Sequence, residues 1–185
     1  MRKRQVQIPV LCEDDEHQSF ALQYLERRGY SRWKVRLLPY PASGKGSGKE
    51  SVRRRYVEEV RAIRRYCQMH RSQTYALVVM IDQDAPSQPD PYLDLDRRLT
   101  DAQLARRTAD EHIAIFAPKY SVETWAYHLL DTARPVDETT NFSERRYGIG
   151  GPECRRAGTE FATYDPALCP LPSLVAACKE RQRIP

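Results

Sequence analysis

Hydrophobic residues follow two different periods along the chain, and the changes between them predict the order of the secondary-structure elements. Residues 5–12 form an apolar run that predicts a first strand, and residues 33–39 alternate between apolar and polar positions, which predicts a half-buried second strand. The continuous apolar run at 75–82 is rich in β-branched residues, as is typical of a central parallel strand buried on both faces. Residues 112–117 predict a fourth strand.

Helical spacing of apolar residues predicts a helix after each of these strands. Two of the helices are expected to begin at capping boxes, where a hydroxyl residue is followed three positions later by Glu or Gln. These are Ser47 with Glu50, and Thr100 with Gln103. Five helices are predicted, at about 14–28, 47–67, 100–108 and 122–130, with a closing helix from about 171. The second of them has an apolar stripe that continues to residue 67.

Alternation of strands and helices predicts an α/β fold, with a mostly parallel four-stranded sheet and helices on both faces in a Rossmann-like three-layer arrangement. Pro9 lies within the first strand, which favours an edge position or a local distortion. Residues 1–130 are expected to form the domain. Residues 131–185 are expected to be a loop-rich extension, poorly ordered to about 170, whose closing helix packs on that domain.

Composition and charge narrow the classes of protein that the chain can belong to. The net charge of +5 permits binding to a polyanion without requiring it. No run approaches the roughly 20 apolar residues that cross a bilayer, and no signal-peptide pattern begins the chain, so we expect a cytoplasmic protein without a membrane partner. The five cysteines form no C-x-x-C pair, and Cys12 and Cys67 are expected in the core.

The four histidines show no metal-ligand spacing, and we expect each to be a surface or packing residue. They are His17, His70, His112 and His128.

Acidic side chains follow two of the predicted strands, where functional groups of open α/β sheets gather. Glu13 comes directly after the first strand, Asp82 ends the third, and Asp84 follows two residues later. If these strands are neighbours, the three carboxylates converge and need either a cation or raised pKa values. Mg²⁺ prefers such hard oxygen ligands, so the sequence predicts a magnesium site. A helix N-terminal acid at Glu13 and an Asx-turn at the aspartates are the structural alternatives.

The arrangement of Glu13 and Asp82-Gln83-Asp84 after apolar strands resembles the signature of the Toprim domain of topoisomerases, primases and OLD-family nucleases. The runs 11–15, 117–125 and 171–174 resemble small stand-alone Toprim-like proteins related to OLD-family nucleases, which are often linked to phage-defence loci. The resemblance covers roughly residues 5–130, with a weaker similarity near the C-terminus. It implies a Toprim-like fold.

The resemblance also implies roles for individual residues. Glu13 is expected to be a general acid/base or metal ligand, with Asp82 and Asp84 holding Mg²⁺ or Mn²⁺. Glu123 is expected to be an additional metal ligand, and Lys119 to be a catalytic residue near the scissile phosphate. Each of these two roles has an equally open alternative. Glu123 can be an ordinary acid in the first turn of a helix, and Lys119 can be a solvated side chain.

The glycine-rich segment 44–49 is expected to approach a phosphate backbone, with Lys45, Ser47 and Lys49 contacting nucleic acid. A flexible linker with a helix cap is the alternative. The segment lacks the residues of a P-loop, since Ser43 and Glu50 replace the required Gly and Ser or Thr.

These expectations lead to one leading function and two alternatives. The first is a Mg²⁺-dependent nuclease, a metal-dependent endonuclease or phosphodiesterase within a phage-defence complex, with DNA as the first expected substrate and RNA as the second. The second is a non-catalytic Toprim-like subunit that partners an ATPase. The third is a domain that recognises a nucleotide at the same edge of the sheet.

Overall fold

The computed structural model describes residues 6–41, 47–70, 73–83, 89–131, 136–139 and 148–185. The strands in chain order are β1 (Val6–Leu11), β2 (Val35–Leu37), β3 (Thr74–Tyr75), β4 (Leu77–Met80) and β5 (Ile113–Phe116). The α-helices are α1 (Asp15–Arg27), α2 (Gly48–Met69), α3 (Pro91–Asp101), α4 (Val122–Leu130), α5 (Gly151–Phe161) and α6 (Pro172–Glu180). Short 3₁₀ turns lie at Arg32–Lys34, Pro166–Leu168 and Arg181–Arg183.

The sheet has the order β2-β1-β4-β5, with β3 also paired to β1, and every pairing among these strands is parallel. The fold is therefore α/β with a parallel sheet, as the sequence predicted. Alternate residues of β4 pack on opposite faces. Val78 and Met80 join the core beneath α1, α4, α5 and α6, whereas Leu77 and Val79 join the core beneath α2 and α3. Burial on both faces explains the unbroken apolar run at this position.

Pro9 does not place β1 at an edge, because β1 lies between β2 and β4. The local distortion that was the other expectation is present. The backbone nitrogen of Ala76 donates to the oxygen of Gln7, and the next donor on this side of β1 would be Pro9, which has no N–H. The ladder is interrupted here, and the interruption divides β3 from β4.

The helix expected at 100–108 is wrong, since α3 has already reached its end at Asp101. The side chain of Asp90 caps its N-terminus by accepting from the backbone of Tyr92 and Leu93, with Pro91 in the first turn. Gln103 has a φ of +58°, a left-handed conformation that stops helical propagation.

The prediction of poorly ordered loops between 131 and 170 is also wrong where α5 forms. One stripe of α5 is buried against α1, and its small residues allow the two helices to approach closely. A side chain at Gly158 would collide with the backbone oxygen of Phe20. Cys12 is buried as expected, but Cys67 is exposed at the end of α2.

The free side of β5 is covered by the C-terminal segment. Arg107 donates to the oxygen of Ile113 and forms an ion pair with Glu180, whose carboxylate accepts from the nitrogen of Ile115 at 3.0 Å. These side chains satisfy backbone groups that a neighbouring strand would otherwise pair, which protects the edge from association. None of the helices in the described ranges is long and apolar enough to cross a membrane.

Candidate functional site

Two acidic residues meet at the carboxyl ends of β1 and β4. A carboxylate oxygen of Glu13 accepts a hydrogen bond of 2.7 Å from the backbone nitrogen of Asp82. β1 and β4 are paired neighbours, with Val10 opposite Val78 and Leu11 opposite Val79. Both strands therefore end at the same level of the sheet. The predicted convergence of Glu13 and Asp82 is therefore observed, whereas Asp84 lies outside the described residues.

A histidine that the sequence did not single out completes this cluster. The imidazole of His17 is buried, with Nε2 2.9 Å from Oδ1 of Asp82. Its Nδ1 lies 2.8 Å from Oδ1 of Asp14, within ion-pair distance. Asp14 also caps α1 by accepting from the backbone nitrogen of His17 at 3.0 Å. Of the two expectations for His17, the surface position is excluded, and the buried ring lies between two carboxylates.

The charges in this cluster shift one another's pKa values. Burial raises the pKa of Glu13 to about 7, and the negative charge of Asp82 adds to the effect. Burial likewise raises the pKa of Asp82, although His17 opposes the rise. Burial alone would lower the pKa of His17, but Asp82 and Asp14 together raise it well above its ordinary value. The site therefore holds more negative charge than its one buried imidazole offsets, which a further cation would relieve.

The N-terminus of α2 lies directly against this cluster. The hydroxyl of Ser47 caps the helix by accepting from the nitrogen of Glu50 at 3.4 Å, as the capping box predicted. A Cβ at Gly48 would collide with the backbone oxygen of Glu13, so only glycine allows the helix to start this close. The positive charge of Lys49 lies close enough to the site to oppose the rise in pKa at both Glu13 and Asp82. Lys45 lies outside the described residues.

Glu123 lies near the same cluster, in the first turn of α4. Burial raises the pKa of Glu123, and the negative charge of Asp82 contributes to the rise. Its carboxylate therefore shares the electrostatic environment of the site.

Lys119 follows β5 and pairs with Gln83 through an isolated parallel bridge, so it extends the same edge of the sheet. Its ammonium lies 5.6 Å from the centre of the Tyr120 ring. Tyr120 has a φ of +64° and donates its backbone N–H to the oxygen of Gln83 at 2.7 Å. A left-handed conformation at a non-glycine residue is uncommon, and here backbone hydrogen bonds to the neighbouring segment hold it.

The carboxylate oxygens of Glu13 and Asp82 are of the type that the expected Mg²⁺ prefers. Mg²⁺ keeps several waters and commonly binds proteins through one or two carboxylates, so Glu13 and Asp82 are sufficient in number and type. Their raised pKa values also fit a site that a cation would stabilise. Within the described ranges, no three His, Cys, Asp or Glu side chains converge on one ion position. Of the expected ligands, Glu13 and Asp82 are therefore the two that the described residues bring together.

A groove of about 780 Å³ lies between α1, the 3₁₀ turn at Arg32–Lys34 and the start of α5. Asp15 and Glu16 of α1 line this groove, and so do three arginines from two other segments. They are Arg32, Arg155 and Arg156. Several arginines of α2, by contrast, are engaged within the fold. Arg53 pairs with buried Asp94 at 2.8 Å, and Arg64 pairs with Glu111 at 2.6 Å.

Comparisons with family models, curated proteins and solved structures find no match to this chain.

Proposed function

We propose that the chain is a Mg²⁺-dependent phosphodiesterase of the Toprim type that cleaves nucleic acid. The observation that carries the proposal is the 2.7 Å hydrogen bond between Glu13 and Asp82, which joins two acids at the carboxyl ends of neighbouring parallel strands. Open α/β sheets use this edge for chemistry. Both carboxyl groups have raised pKa values, a property concentrated at functional sites.

A bound Mg²⁺ or Mn²⁺ would supply an activated water and offset the charge on the leaving oxygen. The residues of the chain would have separate tasks. Asp82 would hold the cation, with Asp84 as a second ligand. Glu13 would hold the cation or move a proton to or from the attacked phosphate. Glu123 would add an outer carboxylate, and Lys119 would offset negative charge on the phosphate.

Two features support nucleic acid as the substrate. The N-terminus of α2, with Ser47 and Lys49, presents backbone N–H groups and a positive charge beside the carboxylates, which suits a phosphate. The groove lined by Arg32, Arg155 and Arg156 would offer further phosphate contacts. DNA is the first substrate to test and RNA the second. A cytoplasmic location and a place in a phage-defence complex form part of this proposal.

The direct test is a plasmid-nicking assay with Mg²⁺ and Mn²⁺. Asp82→Asn keeps the shape of the side chain but removes its charge, so nicking should fall at least about 100-fold. Asp101→Asn, at the exposed end of α3, is the matched control and should nick like the unaltered chain. Equal activity in Asp82→Asn and the unaltered chain would show that any observed cleavage comes from elsewhere.

A second candidate function is a non-catalytic subunit. The observation that favours it is a surface groove of about 550 Å³ on α2, lined by the exposed Tyr66 and Met69 with charged neighbours. Apolar side chains exposed together on a helix suit a protein partner, and the resemblance implies an ATPase. Co-purification with an ATPase encoded beside the gene, lost in Met69→Ser but kept in Asp82→Asn, would support this candidate.

A further inference from the structure

His17 has a different environment from the other buried histidine of the described chain. His128 lies 2.6 Å through Nε2 from the hydroxyl of Tyr164, and burial lowers its pKa. His17 is equally buried but faces carboxylates on both sides of its ring. A histidine that only fills the core needs no such partners, so the placement of His17 requires another explanation.

The contacts of His17 connect two elements that are distant along the chain. Its Nε2 lies 2.9 Å from Oδ1 of Asp82, 65 residues away at the end of β4. Its position on α1 is fixed in turn, because Asp14 caps the helix through the backbone nitrogen of His17. The ring is therefore held by the helix start on one side and contacts the Asp82 carboxylate on the other. A carboxylate with one oxygen held in this way has a restricted orientation.

We propose that His17 is a positioning residue that fixes the orientation of Asp82 for cation binding, a role that rests on the function proposed above. An ionised carboxylate only accepts hydrogen bonds, so Nε2 is the donor in this pair. Hydrogen bonds to a metal-binding side chain orient it, and loss of such a partner typically lowers metal affinity about 10- to 100-fold. His17 would act through Asp82 and would not touch the substrate.

Two substitutions of similar polarity separate this role from simple packing. In His17→Gln the amide nitrogen reaches roughly the position of Nε2, so the donor to Asp82 is kept. In His17→Asn the shorter amide reaches only the position of Nδ1, and the donor to Asp82 is lost. Both remove the imidazole, and both leave a buried amide. His128→Gln is the control for loss of a buried histidine elsewhere.

The measurement is Mn²⁺ affinity of the full chain without nucleic acid, by electron paramagnetic resonance, with nicking kinetics beside it. His17→Asn should weaken Mn²⁺ binding at least about 10-fold and lower kcat with little change in KM. His17→Gln should stay within about 3-fold of the unaltered chain, and His128→Gln should not differ from it. Thermal unfolding and circular dichroism in EDTA would verify that each variant is folded.

The possible results are distinguishable. Equal loss of affinity in the Gln and Asn variants, or no loss in either, would overturn the positioning role while leaving the proposed function intact. Absence of Mn²⁺ binding by the unaltered chain would contradict the proposed function, and the positioning role with it. Mn²⁺ affinity that is kept in His17→Gln but lost in His17→Asn would support the positioning role.

Discussion

Glu13 accepts a hydrogen bond from the backbone N–H of Asp82, and this 2.7 Å contact joins the ends of two strands that are 69 residues apart in the chain. The contact needs an oxygen on residue 13 but not a negative charge. Burial nevertheless raises the pKa of Glu13 to about 7, so its ionised form is disfavoured in the folded state. The charge of Glu13 therefore opposes folding, which suggests that it serves function.

Glu13→Gln should increase the stability of the metal-free protein. Glutamine keeps the oxygen that Asp82 N–H requires and removes the buried charge. The gain at pH 8 should be roughly 1–3 kcal/mol, since each unit of pKa shift corresponds to about 1.4 kcal/mol. The gain should disappear as the pH falls from 7 toward 4.5, because the folded state protonates Glu13 first. Urea unfolding in EDTA at pH 8 and pH 5 measures this.

If Mg²⁺ binds as proposed, it should stabilise the unaltered chain against heat, and Glu13→Gln should lose this stabilisation because a charged oxygen of the proposed site has been removed. Asp101→Asn serves as the control and should retain it. A Glu13→Gln protein that is less stable in EDTA at pH 8 than the unaltered chain would contradict the account of Glu13.

Gly48→Ala should disturb the site through the backbone. The new Cβ would collide with the carbonyl of Glu13, so either the start of α2 or the end of β1 must move. We expect a loss of about 1–3 kcal/mol in unfolding free energy, as for other overpacked positions. Nicking should fall with it.

Gly151→Ala is the matched control at the start of α5. A Cβ there meets no atom within 4 Å, so its stability should change by less than about 0.5 kcal/mol. Similar effects of the two substitutions would argue against close packing at Gly48.

Glu180→Ala should expose the edge of the sheet. It removes the partner of Arg107 and the acceptor of the Ile115 N–H, leaving a largely buried guanidinium without its carboxylate. Loss of one partner of such a pair costs about 3 kcal/mol. The variant should also associate at high protein concentration, which light scattering would detect. Glu160→Ala, an exposed position of α5, should show neither effect.

His128 should make the protein less stable in mild acid. Because burial lowers its pKa, the unfolded state takes up a proton first as the pH falls through about 6.5. Stability is thus present at neutral pH and is lost on acidification. His128→Gln cannot take up this proton, so its urea midpoint should fall less between pH 7.5 and pH 5. A larger fall in the variant would contradict the assignment.

Some features of this protein follow from the sequence because they depend on local periodicity. Apolar runs and alternation predicted four strands, and the 3.6-residue period predicted most of the helices. The structure has five strands, because the single strand predicted at 75–82 is divided into β3 and β4. Acids that follow parallel strands share one edge of the sheet, so the sequence predicts that Glu13 and Asp82 meet if their strands are neighbours, and the structure shows that they are.

Capping patterns were less decisive. The box at Ser47 marks the start of α2. The box at Thr100 falls instead at the end of α3, a helix whose N-terminus is capped by Asp90. Local signals of equal strength compete, and packing selects among them. The helix α5 was missed for a related reason, because apart from Phe161 its buried stripe consists of small residues, whose close packing against α1 gives no strong hydrophobic signal in the sequence.

The sequence by itself determined the α/β alternation and the edge at which the acids gather, because both follow from periodicities of the chain. Only the tertiary structure decided that Pro9 lies in an interior strand, and that His17 lies between Asp14 and Asp82. The physical reason is the same in both cases. Whether a missing N–H or a buried imidazole is tolerated depends on the group opposite it in space, and that group is supplied by a distant part of the chain.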